Sequence, residues 1–188
     1  MTAELAVSQF ISVEDYLAGE ELAEQKHEYL AGIVYAMAGG TFAHSAIASN
    51  LLISLGAQLH GNRCRPLNSD MKLRIRLADQ TRFYYPDVQV VCRPNPPEEH
   101  FQDYPVLIFE VVSESTRRID EQEKRAAYLA IPTLNAYVLI EQERPAATVW
   151  RRTGQGFVRE DYAGAEAVVA FDEIAARITL GDLREGLA

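Results

Sequence analysis

Two carboxylates stand alone within apolar segments of this sequence. Asp87 interrupts the segment YYPDVQVVC, and Glu110 interrupts PVLIFEVVS. An ionised carboxylate inside an apolar strand is costly unless it is paired or binds a metal. Carboxylate oxygens suit a hard cation such as Mg²⁺ or Mn²⁺. Water molecules and a substrate phosphate would complete the coordination of such an ion. The pattern therefore favours a divalent-metal site at Asp87 and Glu110.

Each carboxylate also has a structural interpretation. Asp87 could open a turn after Pro86, and Glu110 could pair with a buried Arg or Lys. The two acids are 23 positions apart, which leaves room for two adjacent strands. The intervening loop RPNPPEEHFQDYP contains four prolines, so we expect no regular structure there.

A basic residue follows these acids at a helical spacing. A helix is predicted from Asp120 until Pro132 stops it. Asp120, Lys124 and Tyr128 recur every four residues and share one helix face. The Lys124 cation could orient an attacking water or offset charge in a phosphoryl-transfer transition state. The alternative is an ordinary Asp-Lys pair on the helix surface.

The surrounding segments predict one α/β domain over residues 1–188. Ser12 is expected to cap a short helix from Val13 to Glu20, and Gly32 to turn a hairpin. The strands of Asp87 and Glu110 read as buried on both faces, at the sheet centre. Further elements are a main helix over 43–60, a strand at MKLRIRL with one basic face, and strands over 135–140, 147–152 and 157–162.

Net charge limits how the chain could contact nucleic acid. The formal charge is −9, which opposes non-specific attraction to DNA. Local contact could come from two basic clusters, Lys72 with Arg74 and Arg76, and Arg117 with Arg118. Both clusters could equally be solvated surface.

Cysteine usage and apolar runs bear on the compartment. Cys64 and Cys92 lie far apart and fit no CxxC spacing, so each is expected to be a core thiol and neither a disulfide nor a zinc ligand. No apolar run is long enough to span a membrane, and the N-terminus MTAELAVSQF lacks signal-peptide features. A soluble, cytoplasmic protein is expected.

The combined motifs resemble a known nuclease group. The succession YPDV, LIFEVVS and Asp120-xxx-Lys124-xxx-Tyr128 is similar to the PD-(D/E)xK superfamily, and more narrowly to its Uma-two endonuclease-like family. The start SVEDYLAGEE, Glu28-Tyr29 with Gly32, and His44 at the head of the long helix also fit. The resemblance implies a restriction-endonuclease-like fold with a central mixed β-sheet flanked by helices.

The resemblance also implies site residues. Asp87 and Glu110 match the metal-binding acids, the backbone carbonyl of Val111 matches an additional ligand, and Glu28 matches an acid from the N-terminal element. The superfamily's usual lysine position, two residues after Glu110, holds Val112, and Lys124 is the match on the following helix.

Two functions of different class remain. The first is a metal-dependent DNA endonuclease, in which Asp87 and Glu110 hold the ion, Glu28 binds it directly or through water, and Lys124 steers a metal-activated water. A homodimer would let a domain with one site cut two strands. The second is a non-catalytic module for nucleic-acid or protein binding, whose acids serve structure. His44 could be a proton shuttle, a phosphate contact or a helix-terminal polar group.

Overall fold

Three β-sheets, of six, five and two strands, and three α-helices are the main elements of the part of the chain that the structure describes, residues 10–37 and 39–187 of a computed structural model. Residues 1–9, which the signal-peptide argument concerned, lie outside this part. The elements are α1 (Val13–Leu22), β1 (His27–Leu30), β2 (Ile33–Ala36), α2 (Phe42–Gln58), β3 (Arg65–Asn68), β4 (Lys72–Arg76), β5 (Thr81–Tyr84), β6 (Val88–Val91), β7 (Phe101–Gln102), β8 (Pro105–Val112), a π-helical turn (Ile119–Lys124), α3 (Arg125–Leu129), β9 (Ala136–Glu141), β10 (Ala146–Thr153), β11 (Gly156–Ala163), β12 (Val168–Phe171) and β13 (Ala176–Thr179).

The larger sheet is mixed and has six strands in the order β11-β10-β9-β8-β6-β3. Strands β8 and β9 pair in parallel, and the other pairs in this sheet are antiparallel. The apolar strands β6 and β8 lie side by side in its interior, as predicted from their almost unbroken hydrophobic runs.

Both faces of the large sheet are covered. Apolar side chains of α2, including Ile47, Leu51 and Leu55, pack on the face that carries Phe109 and Val111. The opposite face carries Ile108 and Val112, which pack with α3 and with part of the smaller sheet. Because side chains alternate along a strand, Glu110 lies on this second face, toward α3.

The smaller sheet positions the N-terminal acid of the predicted site. Its strand order is β2-β1-β5-β4-β7. The β1–β2 hairpin turns at Ala31 and Gly32, with φ values of 50° and 98° that favour glycine at the second position. Helix α1 begins after Ser12, whose side chain accepts the Asp15 N–H as predicted.

The predicted basic face of β4 is largely absent. Lys72 is buried, and Arg74 donates two hydrogen bonds of 2.8 Å to Asp103. Of the three basic residues, Arg76 is the one that is exposed. The reason is the short strand β7 at Phe101–Gln102, which pairs with β4 and brings Asp103 beside Arg74. The expectation of an irregular loop was therefore also wrong at β7.

The cysteines form a disulfide, so the prediction of two free thiols was wrong. Strand β3 pairs with β6 in the register Arg65↔Val91, which places Cys64 opposite Cys92. Their Cα atoms are 3.9 Å apart. The bond joins two neighbouring strands across 28 positions of sequence, and no short cysteine motif signals such pairing.

No helix in the described ranges is long and apolar enough to cross a membrane.

Candidate active site

The two predicted acids meet at the end of the β6–β8 ladder. The register Val88↔Phe109 places Asp87 next to Glu110, just beyond the last ladder pair. The Asp87 backbone N–H donates to Glu110 Oε2 at 3.3 Å, and the Val111 N–H donates to Asp87 Oδ2 at 2.7 Å. The side chains are 15% and 4% exposed, so Asp87 can be reached from solvent whereas Glu110 lies deeper.

Lys124 points into the same place. Its Nζ lies 3.1 Å from Glu110 Oε1, 3.4 Å from Glu28 Oε1 and 3.5 Å from Asp120 Oδ1. The Lys124 side chain is 11% exposed and that of Asp120 is 3% exposed, so the surface-pair interpretation is wrong. Glu28 comes from β1 in the smaller sheet, which means that both sheets contribute to the cluster.

Two further groups belong to the cluster. The sequence predicts Asp120 only as the start of a helix or as a surface partner of Lys124. Tyr128 enters the sequence prediction only through its spacing, yet its buried hydroxyl donates to Glu110 Oε1 at 2.9 Å. The four-residue spacing of Asp120, Lys124 and Tyr128 was the available signal, because one inward residue on that face carries the others with it.

Burial and mutual repulsion shape the protonation of the acids. Burial raises the pKa of Glu110 well above its usual range, and the charges of Asp87 and Asp120 add to this effect while Lys124 opposes it. Burial likewise raises the pKa of Asp120. Burial alone would lower the pKa of Lys124, but the carboxylates of Glu110, Glu28 and Asp120 outweigh it and hold that pKa well above normal.

His44 contacts the solvent side of the acid pair. Thr41 caps α2 by accepting the His44 N–H, and His44 Nε2 lies 3.1 Å from Asp87 Oδ2. The hydrogen bond to Asp87 raises the pKa of His44, although burial opposes it. The His44 imidazole is therefore a proton-carrying group in direct contact with Asp87.

The oxygen donors present suit a hard cation only in part. In residues 10–37 and 39–187, no group of three or more His, Cys, Asp and Glu side chains is arranged to hold a metal by itself. Asp87 and Glu110 offer two carboxylates. The Val111 carbonyl can add a third oxygen, because the N–H and C=O of one strand residue point to the same side and its N–H already faces Asp87. Magnesium is commonly bound in this way, by one or two carboxylates with water and substrate phosphate.

Comparisons with known proteins show the family of the chain. A family described as "Uma2: Putative restriction endonuclease" matches residues 13–181. Two uncharacterized proteins of Synechocystis sp., slr1290 and sll1609, are 35% and 32% identical over 147 and 145 residues. These matches cover 78% and 73% of this chain and 76% and 78% of the relatives.

A solved structure has the same fold. A protein described as a putative nuclease belonging to DUF820, from Anabaena variabilis, superposes with a TM-score of 0.71 at 18% identity. The match covers 92% of this chain and 97% of that one. The predicted α/β, restriction-endonuclease-like fold with a mixed sheet flanked by helices is thus confirmed.

Proposed function

Since the chain belongs to the Uma2 family of restriction-endonuclease-like proteins, we propose that it is a Mg²⁺- or Mn²⁺-dependent endonuclease that hydrolyses phosphodiester bonds in DNA. The observation that supports this proposal is that Asp87, Glu110 and Lys124 converge, with Lys124 Nζ only 3.1 Å from Glu110 Oε1. Buried acids and a buried amine at one partly accessible point are typical of sites with tuned ionisation.

The proposed ion would be held by Asp87, Glu110 and the Val111 carbonyl. An ion bound there would lower the pKa of a water molecule and offset negative charge on the phosphate. Two existing contacts fix the protein's side of this site. The Val111 N–H holds Asp87, while Lys124 and Tyr128 both hold the Oε1 atom of Glu110 and leave Oε2 with one long contact.

Lys124 is proposed to position the attacking water and to stabilise charge on the phosphate. Its three carboxylate neighbours keep it protonated, so it acts as a fixed cation and not as a base. Glu28 holds the amine from the opposite sheet. His44, bonded to Asp87, is placed to deliver or accept a proton near the solvent side.

A non-catalytic module is the second candidate, and one observation favours it. Lys124 already compensates Glu110, Glu28 and Asp120 by direct ion pairs, so the cluster is partly satisfied as a purely structural network. Under this alternative, Glu110 contributes to stability and the protein has no divalent-ion affinity at this site.

The test combines calorimetric Mn²⁺ titration with cleavage of supercoiled plasmid DNA. Wild type should bind Mn²⁺ and nick the plasmid, and Glu110→Ala should lose both properties. Glu173→Gln serves as the control, because Glu173 is an exposed acid in a different part of the fold. Absence of Mn²⁺ binding and of cleavage in folded wild type would favour the non-catalytic module.

Two-strand cutting requires a further property. A domain with one such site needs two copies to cut both strands of a duplex, so we propose a homodimer for any double-strand cleavage. Sedimentation of the protein with and without duplex DNA measures it, and a strictly monomeric complex would limit the activity to nicking.

A further inference from the structure

The β1–β2 hairpin presents an exposed aromatic side chain beside the candidate active site. Tyr35 on β2 is the direct cross-strand partner of Glu28 on β1. Directly opposed residues of an antiparallel pair point to the same face, with Cβ atoms about 5 Å apart. Glu28 in turn contacts Lys124 at 3.4 Å. Tyr35 therefore stands beside Glu28, on the face of the hairpin from which Glu28 reaches Lys124.

The hairpin has two faces of different character. Tyr29 and Val34 are a cross-strand pair on one face and belong to the aromatic cluster under α1. Glu28 and Tyr35 lie on the other face, together with the pair Leu30 and Ile33. Leu30 packs inward against the core, but Ile33 is 43% exposed and Tyr35 is 49% exposed. Strand β2 is also the edge of its sheet, so the surface formed by Ile33 and Tyr35 is open to a ligand.

The charge around Ile33 and Tyr35 indicates what kind of group this surface can bind. Glu28, Asp87, Glu110 and Asp120 surround one lysine, and the whole chain carries a charge of −9. Several phosphates lying across this region would be repelled. A stacking contact does not depend on charge, and every base has a face that can stack on an aromatic ring. A single strand also carries fewer phosphates per unit length than a duplex, so it is repelled less.

We infer that Tyr35, with Ile33 beside it, forms a stacking platform for an unpaired base next to the scissile phosphate, so that the preferred substrate is a single-stranded DNA segment. This inference rests on the proposed function and gives that site its substrate class. Base pairing hides the faces of bases inside a duplex, whereas an unpaired strand offers them directly. Stacking would supply affinity that this acidic surface cannot obtain from phosphate contacts.

The test measures the binding of a fluorescein-labelled oligonucleotide of about twelve nucleotides by fluorescence anisotropy. The buffer contains Ca²⁺, so that binding is measured separately from cleavage. Wild type should bind the single strand more tightly than a duplex of the same sequence. Tyr35→Ala should weaken single-strand binding about tenfold, and Tyr35→Phe should retain it, because the ring does the stacking. Tyr104→Ala is the control, since Tyr104 precedes β8 at the end remote from Glu110.

Three results would overturn the inference: equal binding by Tyr35→Ala and wild type, tighter binding of duplex than of single strand, or a Tyr35→Ala change in oligomeric state with unchanged oligonucleotide affinity. Plasmid cleavage is scored separately. A protein that nicks plasmid but ignores the single strand keeps its proposed function and loses the platform. A protein that binds the strand through Tyr35 but cleaves nothing keeps the platform and loses the nuclease function.

Discussion

Replacing Lys124 with methionine should reveal the electrostatic cost of the site. Methionine keeps most of the side-chain length but removes the cation that contacts Glu110, Glu28 and Asp120 within 3.1–3.5 Å. Removing one partner of a buried ion pair typically costs about 3–5 kcal/mol, because the remaining charge is left uncompensated. In a chain of this size each kcal/mol lowers Tm by about 2–4 °C, so a fall on the order of 10 °C is expected.

The loss should grow with pH. Without the Lys124 cation, the already raised pKa of Glu110 rises further, because only burial and the charges of Asp87 and Asp120 remain. A group whose folded pKa exceeds its unfolded value stabilises the fold fully below the unfolded pKa, about 4.3 for Glu, and loses this contribution as pH rises through the folded pKa. The difference between wild type and Lys124→Met should therefore be smaller near about pH 5 than near about pH 9, above the wild-type Glu110 pKa of about 8.

Urea denaturation in chelator at these two pH values measures the difference. Lys26→Met is the matched control, because the Lys26–Asp70 pair is exposed and such pairs are worth about 0–1 kcal/mol. Adding Glu110→Gln to Lys124→Met should recover part of the lost stability. A cost below about 1 kcal/mol at high pH, or one that does not change with pH, would refute the buried-charge reasoning.

Three more outcomes are expected. Mn²⁺ should raise the Tm of wild type relative to chelator, because a free Mn²⁺ concentration of about 100 times Kd adds about 2.7 kcal/mol to the free energy of unfolding. Glu110→Gln should reduce this rise. Identical melting with and without the ion would exclude strong binding to the free protein. Lys124→Ala should lower the plasmid cleavage rate about a hundredfold at saturating metal with Mn²⁺ affinity unchanged or slightly improved, and Val112→Lys should restore part of that rate; cleavage as fast as wild type would contradict the assigned role. Replacing Cys64 and Cys92 with serine should cost about 2–5 kcal/mol of unfolding free energy, and an unchanged urea midpoint would contradict this.

The central strands could be predicted because their chemistry is local. A run of apolar residues broken by one carboxylate indicates a buried strand whose carboxylate has a polar partner. Asp87 and Glu110 both fit this pattern, and the structure places them next to each other. The inward direction of Lys124 followed from its helix spacing and from the neighbouring strand. These features needed no knowledge of distant partners.

The missed features depend on contacts between segments that are distant in sequence. Strand β3 pairs with β6, a strand distant from it in sequence, so nothing in the sequence around Cys64 points to Cys92. Lys72 appeared exposed because strand alternation does not show that a neighbouring element will cover it. The contact between His44 and Asp87 arises because α2 packs across the sheet, and helix periodicity alone cannot supply that placement.

The π-helical turn at Ile119–Lys124 makes the direction of the Lys124 side chain depend on how the helix is wound. A π-helix bonds each N–H to the fifth preceding residue and so holds more chain per turn than α3. Losing one residue from this turn would let the segment wind as an ordinary α-helix and leave the following side chains facing as they do now, because the π turn holds the extra residue. If the same residues wound as an α-helix without that loss, the side chains that follow would turn by roughly 100°, and a different one would face the carboxylates.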